Sequence, residues 1–396
     1  MQKSPTLWTR LKSRMAPDAP QQKASRTGAL FALHGQGVAR WTPRDYAELA
    51  RESYERNAVA YRCVRMIAEA AASLNWIVYE GTKELTTHPL LDLLHEPNPH
   101  ESGTDLFEAW YGYLEVAGNA YLEMVELDGT PRELYVLRPD RMKIVPGRQG
   151  WPEAYDYSVD GRTMRFACDP LRGKSPILHM RMFHPTDDHY GISPLEAAAF
   201  AVDIHNAAGA WNKSLLDNAA RPSGALVYKG PDGNGNLSEE QFGRLKAELA
   251  DNYQGAANAG RPLLLEGGLD WKAMGLTPKD MDFIEAKNAA ARDIALAFGV
   301  PPMLLGIPGD NTFSNYAEAN RTFWRQTVLP LANRTAKGLT RWLGASWGED
   351  RLRLGFDLDA VEALSTEREA LWNRVSAADF LSEDEKREAV GYGVGN

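Results

Sequence analysis

The sequence predicts an α+β fold, and three observations carry that reading. Six short apolar runs lie between residues 121 and 183, with Asp128-Gly129 and Asp160-Gly161 between neighbouring runs as hairpin turns, so an antiparallel sheet is expected. From Ser193 the pattern changes to long alanine-rich stretches with helical spacing. A compact mixed insert then separates two of those helices.

In chain order, residues 1–40 hold no sustained pattern. They are rich in Pro, Gln, Ser and Gly and carry Lys3, Arg10, Lys12, Arg14, Lys23 and Arg26, which reads as a flexible basic arm with a Leu7/Trp8/Leu11 patch. Residues 44–74 read as a helix, because Val59, Cys63, Met66, Ile67 and Ala70 recur at three- and four-residue steps. Trp76–Tyr79 follows as a strand, and Thr104 is expected to cap the helix carrying Leu106, Phe107, Trp110 and Leu114. The strand runs are Tyr121–Leu127, Glu133–Leu137, Met142–Val145, Ala154–Val159, Thr163–Ala167 and Ile177–Phe183. Ser193-Pro194-Leu195-Glu196 has Ser in the cap position, Pro in the first turn and Glu third, so a helix starts there and runs to about Asn218.

The insert opens with a strand at Ala225–Tyr228 and a loop at Gly230–Asn236. Ser238 and Gln241 form a capping box, and Leu237 with Phe242 a hydrophobic staple, so a helix begins at this point. Pro262–Leu265 and Leu269–Met274 read as strands, and Thr277-Pro278 starts a helix over 280–298. A stiff Val300-Pro301-Pro302 turn and a polar loop at 308–315 come next. Tyr316–Leu343 reads as one helix in which Pro330 removes a hydrogen bond and forces a kink. A turn region at Gly344–Asp357 precedes helices at Ala360–Ala377 and Ser382–Val390, the latter with a Ser382/Glu385 capping box.

At 396 residues the chain exceeds one ordinary domain, and 44% hydrophobic residues suffice for a real core. A formal net charge of −9 disfavours tight non-specific binding to DNA; it allows a surface along which DNA slides but does not show one. Cys63 and Cys168 follow no metal or redox spacing and read as plain thiols. No apolar run approaches the ~20 residues of a membrane span, and the N-terminus is too polar for a signal peptide.

Chemistry-bearing motifs are sparse. Gly35-Gln36-Gly37 lacks both the further glycine of a dinucleotide loop and a preceding strand, and no phosphate-loop lysine motif occurs. Asp232–Asn236 starts like a calcium loop but has Leu237 where glycine is required and Gly243 where the bidentate glutamate belongs. His184, Asp187, Asp188 and His189 could ligate a metal, yet a solvated turn is the better reading, as it is for His88, His95 and His100. No nucleophile elbow or Ser/His/Asp set is present, and the eleven tryptophans sit mostly among aliphatic neighbours as core. No catalytic residue, metal site or cofactor is therefore expected.

One order of motifs is specific. It includes Tyr61–Glu69 with Ser73-Leu74, His88–Leu94 with Pro97-Asn98-Pro99, Gly118-Asn119-Ala120-Tyr121, Leu137–Arg141, Gly191–Leu195 and Arg221–Gly224. It continues through Phe298–Gly306, Gly309–Asn320, Phe323–Gln326 and Leu329–Leu331. Over roughly residues 41–390 this succession resembles the portal proteins of tailed phages whose capsid has the HK97 fold. The resemblance implies a non-enzymatic ring, dodecameric in the family, at one capsid vertex, assembled in the host cytoplasm and carried in the virion of a phage, prophage or gene transfer agent. It implies the portal fold: an arm at 1–40, a wing at 41–192, a first stem helix at 193–219 and a clip at 220–278. A second stem helix with its turn follows at 279–307, then a tunnel loop at 308–315, a kinked wing helix at 316–343 and a short crown at 344–396. The implied partners are further copies of the chain, double-stranded DNA, the large terminase, a head–tail adaptor and the major capsid protein, with no membrane.

Under that resemblance Asp310, Asn311, Thr312, Phe313, Ser314 and Asn315 line the channel. The polar residues can exchange hydrogen bonds with phosphate and water without holding it, and Asp310 repels it. Phe313 is expected to pack between neighbouring loops. The clip surface offered to terminase and adaptor is Asp232, Asn234, Asn236, Glu239 and Glu240. A packaging nuclease or ATPase would need a carboxylate cluster or phosphate loop, which the sequence lacks. A head–tail connector ring without an active part in packaging is the alternative, against which the Val-Pro-Pro turn and the loop at 310–315 speak.

Overall fold

The computed structural model describes residues 46–147, 150–169, 174–217, 224–228, 238–253, 269–273, 283–308, 313–344, 347 and 351–392. They fall into two compact units, one drawn from residues 39–213 and 281–396, the other from residues 214–280.

The larger unit opens with α1 (Tyr46–Leu49), which continues as a π-helical turn over Ala50–Glu55. The single helix expected across 44–74 is broken at Asn57, whose side chain accepts from the N–H groups of Val59 and Ala60 and starts α2 (Ala58–Ala72). A capping side chain inside a stretch of helical spacing thus ends one helix and begins another. Next come β1 (Trp76–Glu80), β2 (Lys83–Leu85), α3 (Pro89–His95) and α4 (Gly103–Ala117). Ser102, not Thr104, caps α4, in a full capping box with Asp105.

The strands β3 (Asn119–Leu127), β4 (Thr130–Leu137), β5 (Met142–Pro146), β6 (Pro152–Val159), β7 (Arg162–Ala167) and β8 (Ile177–Arg181) stand where the alternation placed them. They form two three-stranded antiparallel sheets, β4-β3-β8 and β5-β6-β7. Both hairpin turns hold positive φ at each central residue, 54° and 76° at Asp128-Gly129, 48° and 78° at Asp160-Gly161. This is the twist that two-residue hairpins require.

The helix α5 spans Pro194–Asp217. The smaller unit holds β9 (Gly224–Tyr228), paired antiparallel with β10 (Leu269–Ala273), and α6 (Glu239–Tyr253). Its Ser238/Gln241 box is formed in both directions. The strand expected at Pro262–Leu265 lies outside the described residues.

The larger unit resumes with α7 (Phe283–Ala297) and a 3₁₀ turn at Pro302–Leu305. Then come α8 (Phe313–Phe323), a π-helical segment at Trp324–Val328 and α9 (Leu329–Gly344). The irregularity expected from Pro330 is this π segment: Pro330 has no N–H for the carbonyl four residues earlier, and the Leu329 N–H reaches back to Trp324 instead. The turn region expected at 344–357 contains a strand, β11 (Leu352–Phe356), which pairs with β1 in the sheet β11-β1-β2. Then follow a 3₁₀ turn at Glu362–Leu364, α10 (Ser365–Ser376) and α11 (Glu383–Val390), capped by Ser382 with Glu385 as expected.

One core joins the elements of the larger unit. Ile67, Phe107, Trp110, Leu195, Ile294, Leu339 and Leu354 are all buried in it. A second cluster, with Tyr121, Ile144, Tyr155 and Phe166, fills the space beneath the β5-β6-β7 sheet.

Candidate functional site

The motifs that looked disconnected in sequence meet as joints in space. Gly118 ends α4 in a left-handed conformation (φ 67°). A Cβ there would lie 2.6 Å from the Ile192 carbonyl carbon, and one on Gly191 would lie 2.2 Å from the Gly118 oxygen. Two glycines are needed because two backbones touch. Asn119 locks the contact: its Oδ1 accepts from the Gly191 N–H (2.9 Å) and faces His179 Nε2 (3.1 Å), while its Nδ2 donates to the Gly191 and Ala117 carbonyls. Two residues on, Ser193 Oγ accepts from the Glu196 N–H (3.0 Å) and starts α5. The stem-like helix is therefore launched from a rigid seat on the sheet.

A second joint holds α5 along its length. Asn57 Nδ2 donates to Asn206 Oδ1 (2.9 Å), and Asn206 Nδ2 donates to the Glu52 carbonyl (2.8 Å). His205 lies 3.1 Å from the same Asn57 amide, and burial, then Lys287 of α7, lowers its pKa. His179 is half-buried and stacked on Tyr121 at 4.4 Å. Burial, then Arg181 and His189, pushes its pKa down to about 3, so it is neutral.

The polar loop has a rigid approach. At the end of α7 the N–H of Gly299 (φ 66°) bonds to Leu296 O and that of Val300 to Ala295 O, the paired reach-back of a Schellman motif. Thr327 Oγ1, on the π segment, donates to the Gly299 carbonyl at 2.6 Å. Val300 is buried, Pro301 and Pro302 lead into the 3₁₀ turn, and Gly306 (φ 70°) closes it. Ile307 then packs on Ala291 and Ala295 of α7, and the exposed Arg292 of the same helix donates to the Pro308 carbonyl. The stretch from Phe298 to Pro308 is thus tied at both ends, to α7 and the π segment at Gly299 and Val300 and to α7 at Ile307 and Pro308.

The expected loop at 308–315 is shorter than the sequence suggested. The helix α8 already begins at Phe313, so Phe313, Ser314 and Asn315 stand in its first turn. The run from Ser314 to Asn320 includes good helix formers, and polar residues of the kind that start helices precede it. Asn315 is exposed. Asp310, Asn311 and Thr312 lie outside the described residues, as do Asp232, Asn234 and Asn236. Glu239 and Glu240 are exposed in the first turn of α6, where Glu240 sits 3.6 Å from Arg244.

The His/Asp cluster at 184–189 is a turn. Asp187 Oδ1 accepts from the Tyr190 and His189 N–H groups (2.9 and 2.7 Å), and those bonds, that from Tyr190 foremost, hold its carboxyl below the usual range. Sequence reasoning missed Thr327, Arg292 and Asn57 as fixing residues. Only Gly299, followed by Val-Pro-Pro at a helix end, carried a readable local signal.

Comparison with known proteins identifies the family. The family model described as phage portal protein matches residues 58–391. An uncharacterized protein of Rickettsia bellii (strain RML369-C) is 44% identical over 342 residues, 86% of this chain and 88% of the relative. The portal protein of Enterobacteria phage HK97 is 25% identical over 313 residues, 76% of this chain and 70% of the relative. Among solved structures, chains from the necks of gene transfer agent particles computed with C6 and C12 symmetry are 54% identical. They superpose with TM-scores of 0.70 and 0.68, cover 91% of this chain, and are themselves covered over 98% and 97% of their length. With the family model matched over residues 58–391, most of this chain, the chain belongs to the phage portal protein family.

Proposed function

We propose that copies of this chain form a twelve-membered ring at one capsid vertex, the channel through which double-stranded DNA is packaged and later ejected. The carrying observation is the likeness, at 54% identity, to a chain in the neck of a gene transfer agent particle computed with C12 symmetry. The rigid approach to residues 309–312 supports a channel role: a short polar connection between a locked turn and a long helix is suited to projecting from a fixed scaffold. Asp310, Asn311 and Thr312 contact the DNA loosely, with Phe313 to Asn315 at the base of the connection. The unit at 214–280 is the clip, and Asp232, Asn234, Asn236, Glu239 and Glu240 form its face toward the large terminase and then the head–tail adaptor. The chain itself performs no catalysis in this reading; the motor supplies it.

The test is Asp310→Lys with Asn311→Lys in a transducing or infective particle. Each added cation can hold a phosphate and steepen the salt dependence of binding. Assembled particles with reduced DNA content or reduced delivery are expected. Normal filling and delivery would remove the channel assignment for these residues.

A further inference from the structure

Two helices of the larger unit carry exposed stripes with helical spacing. On α5, Ala197, Phe200, Ile204, Ala207 and Trp211 recur at alternating three- and four-residue steps, the seam of a two-helix packing. Ala197 and Ala207 are exposed, Phe200 is 61% exposed, and Ile204 and Trp211 are half-buried. The other face of α5 sends Leu195, Ala198 and Val202 into the core. On α7 the exposed residues Glu285, Ala289, Arg292 and Leu296 follow one another at steps of four, three and four, with Leu296 77% exposed. Ala290, Ala291, Ile294 and Ala295 on its other face are buried. Exposed apolar stripes of this length mark contact surfaces.

The two stripes point away from each other. His205 of α5 and Lys287 of α7 lie near enough for the lysine charge to act on the imidazole. Each stands on the side of its helix turned away from the stripe. Within one copy the helices are therefore neighbours, and a different stripe faces out on either side. Two unlike, complementary faces associate head to tail, and a head-to-tail contact closes into a ring when its rotation allows.

The stripes also fit each other. Chain direction reverses between the helices, since α5 leads into residues 214–280 and α7 returns from them. Laid antiparallel, Phe200 stands level with Leu296, Ala207 with Ala289 and Asp203 with Arg292. The facing alanines let the axes approach. Asp203 and Arg292 fall on the same flank, while Asp293 falls on the other, beside Ile204 and away from any acid of α5. Apolar and charged positions thus agree on one register.

We propose that the α5 stripe of one copy packs antiparallel against the α7 stripe of a second copy, Phe200 beside Leu296 and Asp203 paired with Arg292. This contact rests on the ring reading and names the surface that builds the ring.

The test is disulfide trapping in the full chain, with assembly followed in parallel by native mass spectrometry. Ala207→Cys and Ala289→Cys are small changes at exposed positions. Combined in one chain and oxidised, they should give a ladder of covalent multimers on a non-reducing denaturing gel. A mixture of the two single variants should stop at dimers, and each variant alone should stay monomeric on that gel, as should the wild type with Cys63 and Cys168. Phe200→Asp should raise the concentration needed for assembly at least tenfold with circular dichroism unchanged. A ring that forms without the ladder would overturn this contact and leave the ring reading standing, as would a Phe200→Asp protein that assembles like wild type. A wild-type chain that stays monomeric at every concentration would remove both.

Discussion

At the scale of single residues, the buried carboxyl of Glu115 is the clearest electrostatic oddity. It lies on α4 near Cys63 of α2, and burial raises its pKa to about 8. In the unfolded chain the group ionises near 4.5. Between those values the native state keeps a proton that the unfolded chain has lost, so stability is full below pH 4.5 and erodes as pH rises to about 8. Glu115→Gln should abolish that loss. Its stability advantage should be near zero at about pH 4 and largest at pH 8–9, with a ceiling of about 5 kcal/mol and a realised gain of roughly 1–3 kcal/mol after relaxation. An advantage independent of pH would mean that the carboxyl is ionised in the fold. His179 works in the opposite direction, since its folded value of about 3 lies below its ordinary 6.5 and stability falls as pH drops between them.

At the scale of elements, the glycine seat makes a contrast that can be measured. Gly191→Ala would place a methyl 2.2 Å from a backbone oxygen, and neither partner is a side chain that can swing away. A cost of about 3 kcal/mol or more is expected, whereas Gly112→Ala, at an open helical position, should stabilise by roughly 0.5–1 kcal/mol. Thermal melts of the two variants decide it, and a Gly191→Ala protein melting with the wild type would show that the α4–α5 seat is not tight. The same elements show what the chain declares locally. Both Asp-Gly hairpins and the Ser238 and Ser382 caps were readable because turn and cap chemistry lies within a few residues. Leu352–Phe356 was not, because a glycine interrupts its alternation and its partner β1 lies far away in sequence. The break at Asn57 was hidden because helical spacing continues on both sides of it, while the reason for the cap, its bond to Asn206, is tertiary. Of the candidate site, the stiff turn was legible from Gly299 through Pro302. The tie from Thr327 to Gly299 and the tie from Arg292 to Pro308 depend on which helix returns beside the turn, and no local pattern encodes that.

At the scale of the whole molecule, the division into two units gives the docking proposal a clean experiment. Residues 214–280 form a unit of their own, so deleting Gly230–Asn236 should leave the buried core of the larger unit untouched. Native mass spectrometry should then show the same assembly as wild type, while terminase capture by the variant falls at least tenfold, about 1.4 kcal/mol. Undiminished capture would move the docking face elsewhere. The larger unit has its own constraint, set by the pairing of Trp76–Glu80 with Leu352–Phe356. During synthesis β1 emerges long before its partner. At ordinary elongation rates of roughly 5–20 residues per second, it waits about 15–55 s with an open edge. Open edges invite pairing with other chains, and a ribosome-bound subunit therefore cannot finish this sheet until nearly all of its sequence is out. The sheet is thus closed only once the chain has been made through Phe356.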